Sequence, residues 1–284
     1  MAEVLKKVKL EARVSEFSRN LRAAYARAGV RVKATKKEPL WTIAEVTIPL
    51  ISVAAYVFLY RALNAPPTFA SFVLIGGTMI AFWANVLWNM SAQFYWEKET
   101  GNLEMYFIAP ISRMAILLGM ALGGIINTST RALSIIIIGS FLFNAPLRVV
   151  DPFAAIIVFT LTILSLYALG MLFASLFMLY GREAWHMTNL LQEPVYFLSG
   201  FFFPIVGNRF FPFAIQVAAS LIPLTVGLDA IRRVLVLGAG FSQISLHVLG
   251  LLAFVSVLLP LSKKGLDFME GLAKREGRLT LRWQ

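Results

Sequence analysis

Long apolar runs alternate with short polar interruptions along the 284-residue chain. A helix crosses the hydrocarbon core of a bilayer with roughly 20 mainly apolar residues, and six runs approach or exceed that length. They cover residues 41–60, 69–90, 114–143, 153–180, 185–199 and 244–261. The third and fourth runs are long enough to tilt or protrude, whereas the fifth is short. The pattern predicts an all-α integral membrane protein with six transmembrane helices.

Residues 200–226 are also apolar, but three prolines and a Gly-Asn-Arg turn interrupt them. Broken backbone at membrane depth is tolerated only where protein or a wet cavity surrounds it. We therefore predict two short half-helices, which form a re-entrant helical hairpin at the outer surface before the last span. Asp229, Arg232 and Arg233 follow at helical spacing and predict a charged cluster at that surface.

Charge is concentrated at the ends of the chain, which carries a net +11. If the amino terminus is cytoplasmic, twenty Lys and Arg residues lie on the cytoplasmic side and five lie outside. The cytoplasmic total includes Arg182 and six residues after position 262. Because cytoplasmic loops carry the excess of Lys and Arg, the count predicts a multi-pass protein of the cell (plasma or inner) membrane with both termini in the cytoplasm.

The first 40 residues contain a predicted amphipathic helix over 4–28. Lys and Arg dominate most of its faces, and one stripe of apolar residues recurs at helical spacing: Val14, Phe17, Leu21, Tyr25 and Ala28. Such a helix would lie on anionic lipid, although a merely solvated basic helix is the alternative. The predicted organisation is a basic cytoplasmic segment at 1–40, a six-span domain at 41–262 and a basic cytoplasmic tail at 263–284.

Signs of enzyme chemistry are absent from the sequence. No glycine-rich phosphate loop ending in Gly-Lys-Ser/Thr occurs, and the segments outside the apolar runs are too small for a nucleotide-binding domain. The chain has no cysteine, and His186 and His247 have no Asp or Glu at metal-ligand spacing, which favours ordinary packing or hydrogen bonding for both. We predict no catalytic site, no bound cofactor or metal and no nucleic-acid partner. If ATP drives the protein, another chain binds the ATP and its Mg²⁺.

Charged residues within apolar runs indicate function by default, because they are costly in the membrane. Three occur here, Glu45, Arg131 and Glu193. A pairing of Arg131 with Glu193 or Glu45 inside the helix bundle is one explanation. Contact with a substrate is the other, and the sequence leaves both open.

Two ordered motifs indicate a family. The loop between the second and third runs reads Glu-Lys-Glu-Thr-Gly-Asn-Leu-Glu at 97–104, followed by Pro-Ile-Ser-Arg at 110–113. Downstream, Phe-Leu-Ser-Gly at 197–200, Phe-Pro at 203–204, Pro-Leu-Thr at 223–225 and Gly-Leu-Asp-Ala-Ile-Arg at 227–232 follow in order. Together they resemble the permeases of the ABC type 2 export family, and the resemblance covers essentially residues 41–262.

The resemblance implies a homodimeric or heterodimeric permease that carries two ABC ATPase subunits on its cytoplasmic side. Its substrates would be drugs, lipids, lipid-linked glycans or similar amphiphiles. The matching loop would be a coupling helix that docks on the ATPase: Glu97, Glu99, Gly101, Leu103, Glu104, Tyr106, Phe107 and Pro110. The re-entrant half-helices would close the outer end of the pathway: Ser199, Gly200, Phe203, Pro204, Pro223, Leu224, Thr225, Asp229 and Arg232.

The residues of the loop fit a short rigid helix. Asn102 can cap it, Pro110 disfavours helix at the preceding residue, and Ser112 can cap the next helix. Leu103, Tyr106 and Phe107 share one face, so we expect an apolar ridge, flanked by Glu97, Glu99 and Glu104, that enters a partner groove with a basic rim. The alternative is an ordinary interfacial loop whose aromatic residues lie among lipid headgroups.

Several residues of the second and fifth runs are candidates for lining the transport pathway, with core or lipid packing as the alternative for each: Phe82, Trp83, Asn85, Trp88, Tyr196 and Phe197. Two other functional classes compete with an exporter. An ion-coupled secondary transporter or channel would ordinarily show acidic or histidine relays and broken helices in both halves. A membrane scaffold that binds an ATPase without passing substrate is the third possibility.

Overall fold

The computed structural model describes residues 2–177 and 183–276, and these form helices without a strand. Eleven helices follow one another in the described chain: α1 (Ala2–Lys36), α2 (Pro39–Ala62), α3 (Thr68–Ala84), α4 (Gln93–Glu99), α5 (Asn102–Ile108), α6 (Arg113–Phe143), α7 (Pro152–Phe177), α8 (Glu183–Ser199), α9 (Phe213–Ser220), α10 (Pro223–Leu235) and α11 (Phe241–Glu276). A π-helical segment, Asn85–Ser91, continues α3. The end of the fourth apolar run, Arg182 and the last residues of the predicted tail lie outside the described residues.

Five helices in the described part of the chain are long and apolar enough to cross a membrane: α2, α3 with its π segment, α6, α7 and α11. The all-α membrane architecture predicted from the sequence is therefore confirmed. The fifth apolar run forms α8, whose 17 residues span about 25 Å and fall short of the roughly 30 Å hydrocarbon core. Helices α9 and α10 meet at 93° and form either a broken span or a re-entrant pair. They begin at Phe213, later than the sequence predicted, because residues 201–212 form an irregular loop.

Helix α7 lies at the centre of the core and packs against α10, α11 and the π segment. Small residues permit these close contacts. A Cβ at Gly170 of α7 would collide with Val86 of the π segment, and a Cβ at Gly227 of α10 would collide with Thr162 of α7. Membrane helices associate largely through such close packing, because lipid is as apolar as their side chains.

Helix α1 packs lengthwise along α6 through small residues on both helices. The backbone of α1 at Ala24 and Ala28 lies so close to Gly119 and Gly123 of α6 that no Cβ would fit at Gly119 without movement. Ala28 was predicted to share the outward apolar stripe, and that prediction is wrong because Ala28 is buried against α6. The approach fixes α1 to the first half of α6.

Three other residues of the predicted stripe are largely free of protein contact, and the side chain of Val14 lies outside the described residues. Phe17, Leu21 and Tyr25 are each more than half exposed in the described chain. A lipid interface would cover such side chains, so the structure is compatible with the predicted interfacial helix.

The last helix extends beyond its apolar part. Helix α11 continues to Glu276, so the first half of the predicted tail, from residue 263, is a helical continuation of the span. Thirty-six residues span about 54 Å, which exceeds the membrane core and brings the end of α11 to the level of α5 and the start of α6.

Gly76 of α3 provides a test of this packing. A Cβ there would overlap the carbonyl of Phe201 and lie 2.9 Å from Nη2 of Arg232. Gly76→Ala should lower the free energy of unfolding by about 1–3 kcal/mol, because a rigid backbone group must move. Denaturant titration in detergent micelles measures this change.

Gly250→Ala is the matched control. Its Cβ would meet only Val226, at an ordinary 3.8 Å, so α11 should be as stable or slightly more stable. Equal losses at the two positions would contradict the packing described for α3.

Candidate functional site

Helix α5 has one face inside the protein and one face outside. Gly101 adopts a left-handed conformation with φ of 74°, which turns the chain sharply from α4 into α5. Leu103 is buried at 2% exposure within the core, whereas Met105 and Ile108 are 68% and 81% exposed. The short helix therefore presents an apolar outer surface on a buried inner anchor.

This orientation corrects the predicted docking ridge. Leu103, Tyr106 and Phe107 do share a face, but that face packs against the chain's own core. We call Met105 and Ile108 the outer face of α5. Asn102 and Glu104 are also exposed, and so are Gly101 and Pro110 at the two ends. A partner that docks on α5 would meet these residues first.

The residues predicted to cap α5 and α6 do not form the side-chain capping bonds expected from the sequence. Asn102 is the first helical residue and its amide donates to the hydroxyl of Thr100, 3.0 Å away, while Gly101 occupies the N-cap position. Ser112 does occupy the N-cap position of α6, but its side chain makes no capping bond. Its backbone N–H instead donates to Oδ1 of Asn20 on α1, 2.8 Å away. Helix α1 thus contributes a bond that the local sequence did not reveal.

Glu97 is the centre of a buried polar cluster, which we call the Glu97 cluster. Its carboxylate forms an ion pair with Arg27 of α1. It also accepts hydrogen bonds from Nε2 of Gln93 at 2.6 Å and from the hydroxyl of Tyr106 at 3.2 Å. Burial raises the pKa of Tyr106, so this hydroxyl remains a donor at neutral pH. The cluster joins α1, α4 and α5.

Glu97 was predicted to flank an exposed ridge, and this prediction is wrong because the side chain is 5% exposed and paired. Glu99 and Glu104 are exposed as expected. The acidic character of the outer surface therefore comes from these two residues.

The other end of α5 contacts α6 and α11. The Phe107 ring lies 5.2 Å from the guanidinium of Arg113 and 5.9 Å from the ammonium of Lys274. Glu270 of α11 bridges both cations, at 2.9 Å from Arg113 and 2.6 Å from Lys274. Helix α5 is thus connected to two spans as well as to α1.

The segment before the last span is organised by Arg232 of α10, which is only 3% exposed. Its guanidinium donates to the carbonyl oxygens of Phe72, Gly200 and Phe201, at 3.0 Å and 2.8 Å for the first two. Gly200 has a left-handed φ of 63°, which turns the loop towards these donors. An arginine with five N–H donors can thereby satisfy the loop carbonyls of Gly200 and Phe201 and connect this loop to α3 at Phe72.

The predicted surface cluster of Asp229, Arg232 and Arg233 is therefore only partly correct. Asp229 accepts from Nε of Arg233 at 2.8 Å and contacts Nε2 of His247 at 2.9 Å, while Arg232 points into the core. The structure thus pairs His247 with a carboxylate from another helix. Among the described residues, no cluster of three or more His, Cys, Asp or Glu side chains could hold a metal ion.

Other residues of the predicted outer gate lie around this arginine. Thr225 donates to the carbonyl of Leu198 at 3.2 Å, and the Phe203 ring stacks on Phe211 at 5.7 Å. Ser199, Pro223 and Leu224 are buried, and the carbonyl of Pro204 accepts from Asn208. The gate role itself stays a prediction.

Of the two partners considered for Arg131, the structure selects Glu45. The two side chains form an ion pair between α6 and α2, and both are largely buried. Glu193 lies exposed on α8, and its carboxylate is 3.4 Å from the amide of Gln192. The pair thus joins two spans.

The pathway candidates divide into two groups. Phe82 and Trp83 have no exposed surface, so they line no route in this conformation and the core-packing alternative is correct for both. Asn85 is also buried and accepts from the hydroxyl of Tyr167 at 2.9 Å. Three candidates remain partly exposed: Trp88, whose indole donates to Gln192 at 2.9 Å, Tyr196 and Phe197.

The sequence reading missed a polar cavity of about 260 Å³ next to these residues. Helices α1, α2, α4 and α6 and the π segment line it, and its walls include Arg27, Arg31, Glu45, Asn127 and Arg131. Of these residues, the sequence indicated only Glu45 and Arg131, as charges within apolar runs, because the others come together through tertiary packing.

The pair of Glu45 and Arg131 can be tested by a double-mutant cycle. Either Glu45→Gln or Arg131→Gln alone should destabilise the protein by about 3–5 kcal/mol, because it leaves one buried charge without its partner. The double variant should lose less than the sum of the two single losses. Denaturant titration measures all three, with the exposed Arg148→Gln as a control. Strictly additive losses would contradict a direct pair.

Comparison with known proteins agrees with this architecture. Residues 14–262 match the family model described as ABC-2 family transporter protein. No curated protein matches the chain. The family match covers most of the sequence, including α2 to α10, and the described helices provide the membrane spans that such a subunit needs. The chain therefore belongs to the ABC-2 transporter family, as a multi-pass membrane permease subunit.

Proposed function

We propose that the chain is the permease subunit of an ATP-driven exporter, docks separate ABC ATPase subunits through the outer face of α5, and moves an amphiphilic or hydrophobic substrate out of the cytoplasm. Two ATPase subunits and a second permease copy complete the assembly, and the ATPases bind ATP and Mg²⁺. Family membership supports the association with ATPases. The substrate would be a drug, a lipid or a lipid-linked glycan.

The two-sided character of α5 is the observation that carries this proposal. Met105 and Ile108 are large apolar side chains held outward on a helix whose opposite side is anchored by Leu103. Apolar anchors that enter a partner pocket supply most of the affinity in protein interfaces. Exposed Glu99 and Glu104 would add charge complementarity to a basic rim.

A coupling helix must also transmit motion, and α5 has the required connections. The Glu97 cluster joins it to α1, which packs along α6. Phe107, Arg113 and Glu270 join it to the ends of α6 and α11. A displacement of α5 by an ATPase would therefore move spans, because buried polar contacts resist separation.

The orientation and assembly in the proposal rest on charge and exposed surface. The Lys and Arg bias favours a cytoplasmic location for α1, α5 and both termini of a cell-membrane protein. Only 17% of the residues in the most apolar stretch of α2, and likewise of α11, are buried within the chain. Both helices therefore leave wide surfaces for lipid or for a second copy. A basic segment at 1–40, a transmembrane domain at 41–262 and a basic tail fit this arrangement.

The docking part of the proposal predicts a clear effect of charge on the outer face. Met105→Asp with Ile108→Asp should reduce co-purification of the ATPase at least about tenfold, because two apolar anchors become charged and cannot be desolvated cheaply. The chain itself should remain folded, since both side chains are exposed. Affinity purification from detergent extracts, with the ATPase quantified per permease, measures the effect.

Phe210→Asp is the matched control, because Phe210 is 92% exposed in the loop before α9, on the predicted outer side. It should retain the ATPase fully. Undiminished co-purification with the double α5 variant, in a sample that elutes as a single species, would contradict docking through this face.

A further inference from the structure

The polar cavity beside Arg31 adjoins the Glu97 cluster, and Arg27 and Gln93 belong to both. Its walls come from five helical segments of the described chain: α1, the start of α2, the π segment, the first residue of α4 and the middle of α6. Its other lining residues on α1, from Val30 to Thr35, lie one to two helical turns beyond Arg27. Its thirteen lining residues include three arginines, three asparagines and Gln93.

Arg31 differs from the other two arginines because no carboxylate lies within ion-pair distance of it in the described chain. Arg27 is paired with Glu97 and Arg131 is paired with Glu45. Arg31 donates only from Nη1, to the backbone carbonyl of Asn89 at 2.9 Å. Burial lowers the pKa of Arg31, since protein replaces the water that would solvate its charge. A partly buried cation without a counter-ion is stabilised by a bound anion.

The paired arginines also keep free donors in this region. The Nε atoms of Arg27 and Arg131 are buried and form no hydrogen bond within the described residues. Arg131 itself is 7% exposed. Guanidinium groups match the oxygens of phosphate in both geometry and charge, and they bind it with charge-assisted hydrogen bonds. The two carboxylates that face the cavity are Glu45, which Arg131 neutralises, and Glu38, which is exposed to solvent at the N-cap position of α2.

We propose that this cavity binds the phosphate group of an anionic lipid, with Arg31 as the principal cation. The position of the cavity favours a lipid over a free anion. Exposed Val30 and Trp41 border it, and Leu40 and Ile43 extend an exposed apolar surface along α2. A lipid headgroup could enter beside Trp41 while its acyl chains follow that surface, as tryptophan commonly marks the interface of a membrane.

The proposal differs from a general attraction of α1 to the membrane. Every exposed lysine and arginine of α1 contributes to that attraction, and each contributes similarly. A specific site instead depends on the space next to Arg31 and on that one guanidinium. It also stands independently of ATPase docking, because its residues do not include the outer face of α5.

Native mass spectrometry of the full chain in detergent, titrated with phosphatidylglycerol, tests the proposal. Ala34→Phe fills the cavity without removing a charge, and Arg31→Gln removes the unpaired cation. Each variant should weaken binding at the tightest phosphatidylglycerol site at least about tenfold. Arg31→Gln removes charge-assisted hydrogen bonds worth that much, and Ala34→Phe leaves no space for the phosphate that would accept them. Arg22→Gln removes the same charge from an exposed position of α1 and should leave that site within about twofold of the original affinity.

Two further titrations identify the source of the phosphate. Phosphatidylcholine should bind far more weakly than phosphatidylglycerol, because its headgroup carries no net charge. If inorganic phosphate binds, and if the same two variants weaken its binding, the site exists but its ligand is a free anion and not a lipid. If Arg31→Gln does not fold, Ala34→Phe alone decides the outcome. Equal lipid affinity in Ala34→Phe, Arg22→Gln and the unmodified chain would overturn the proposal, as would the absence of binding by both phosphatidylglycerol and phosphate.

Discussion

The ion pair and hydrogen bonds of the buried Glu97 carboxylate are the interactions on which the arrangement of α1, α4 and α5 depends. An ion removed from water is stable only where other groups satisfy it, and removal of one partner from a buried pair costs several kcal/mol. Arg27, Gln93 and Tyr106 satisfy Glu97 from α1, α4 and α5. These three helices therefore constrain one another. The outward position of Met105 and Ile108 follows, because the inner side of α5 is already occupied by core contacts.

Two other buried cations, Arg232 and Arg131, also connect separate segments of the chain through their polar partners. Arg232 donates to the carbonyls of Gly200 and Phe201, in the irregular loop after α8, and to the carbonyl of Phe72 in α3. Arg131 is paired with Glu45 and joins α6 to α2. Arg31, near the second of these, is the exception because a backbone carbonyl is its one described acceptor. That difference makes its cavity a candidate for a charged ligand.

Much of this fold could be predicted from the sequence, because a membrane span requires a long apolar run and a helix end requires turn residues. The position of α5 and the broken segment before α11 were accessible in this way, whereas for Arg131 the sequence left Glu45, Glu193 and a substrate open as partners. The orientation of α5 was not, because α1 and the end of α11 determine it from far along the chain. The role of Arg232 was hidden as well, since its partners are backbone carbonyls that leave no side-chain pattern. The cavity beside Arg31 was missed because it forms only where five helical segments meet.

The central claim is that α5 faces its ATPase with Met105 and Ile108 and faces its own core with the opposite side. The chain contains no cysteine, so a single introduced cysteine can carry a photoactivated cross-linker at a defined position. In the assembled complex, labels at Met105→Cys and Ile108→Cys should cross-link to the ATPase, while a label at Phe107→Cys should react within the permease itself. Cross-links to the ATPase from position 107 but not from positions 105 and 108 would contradict the account.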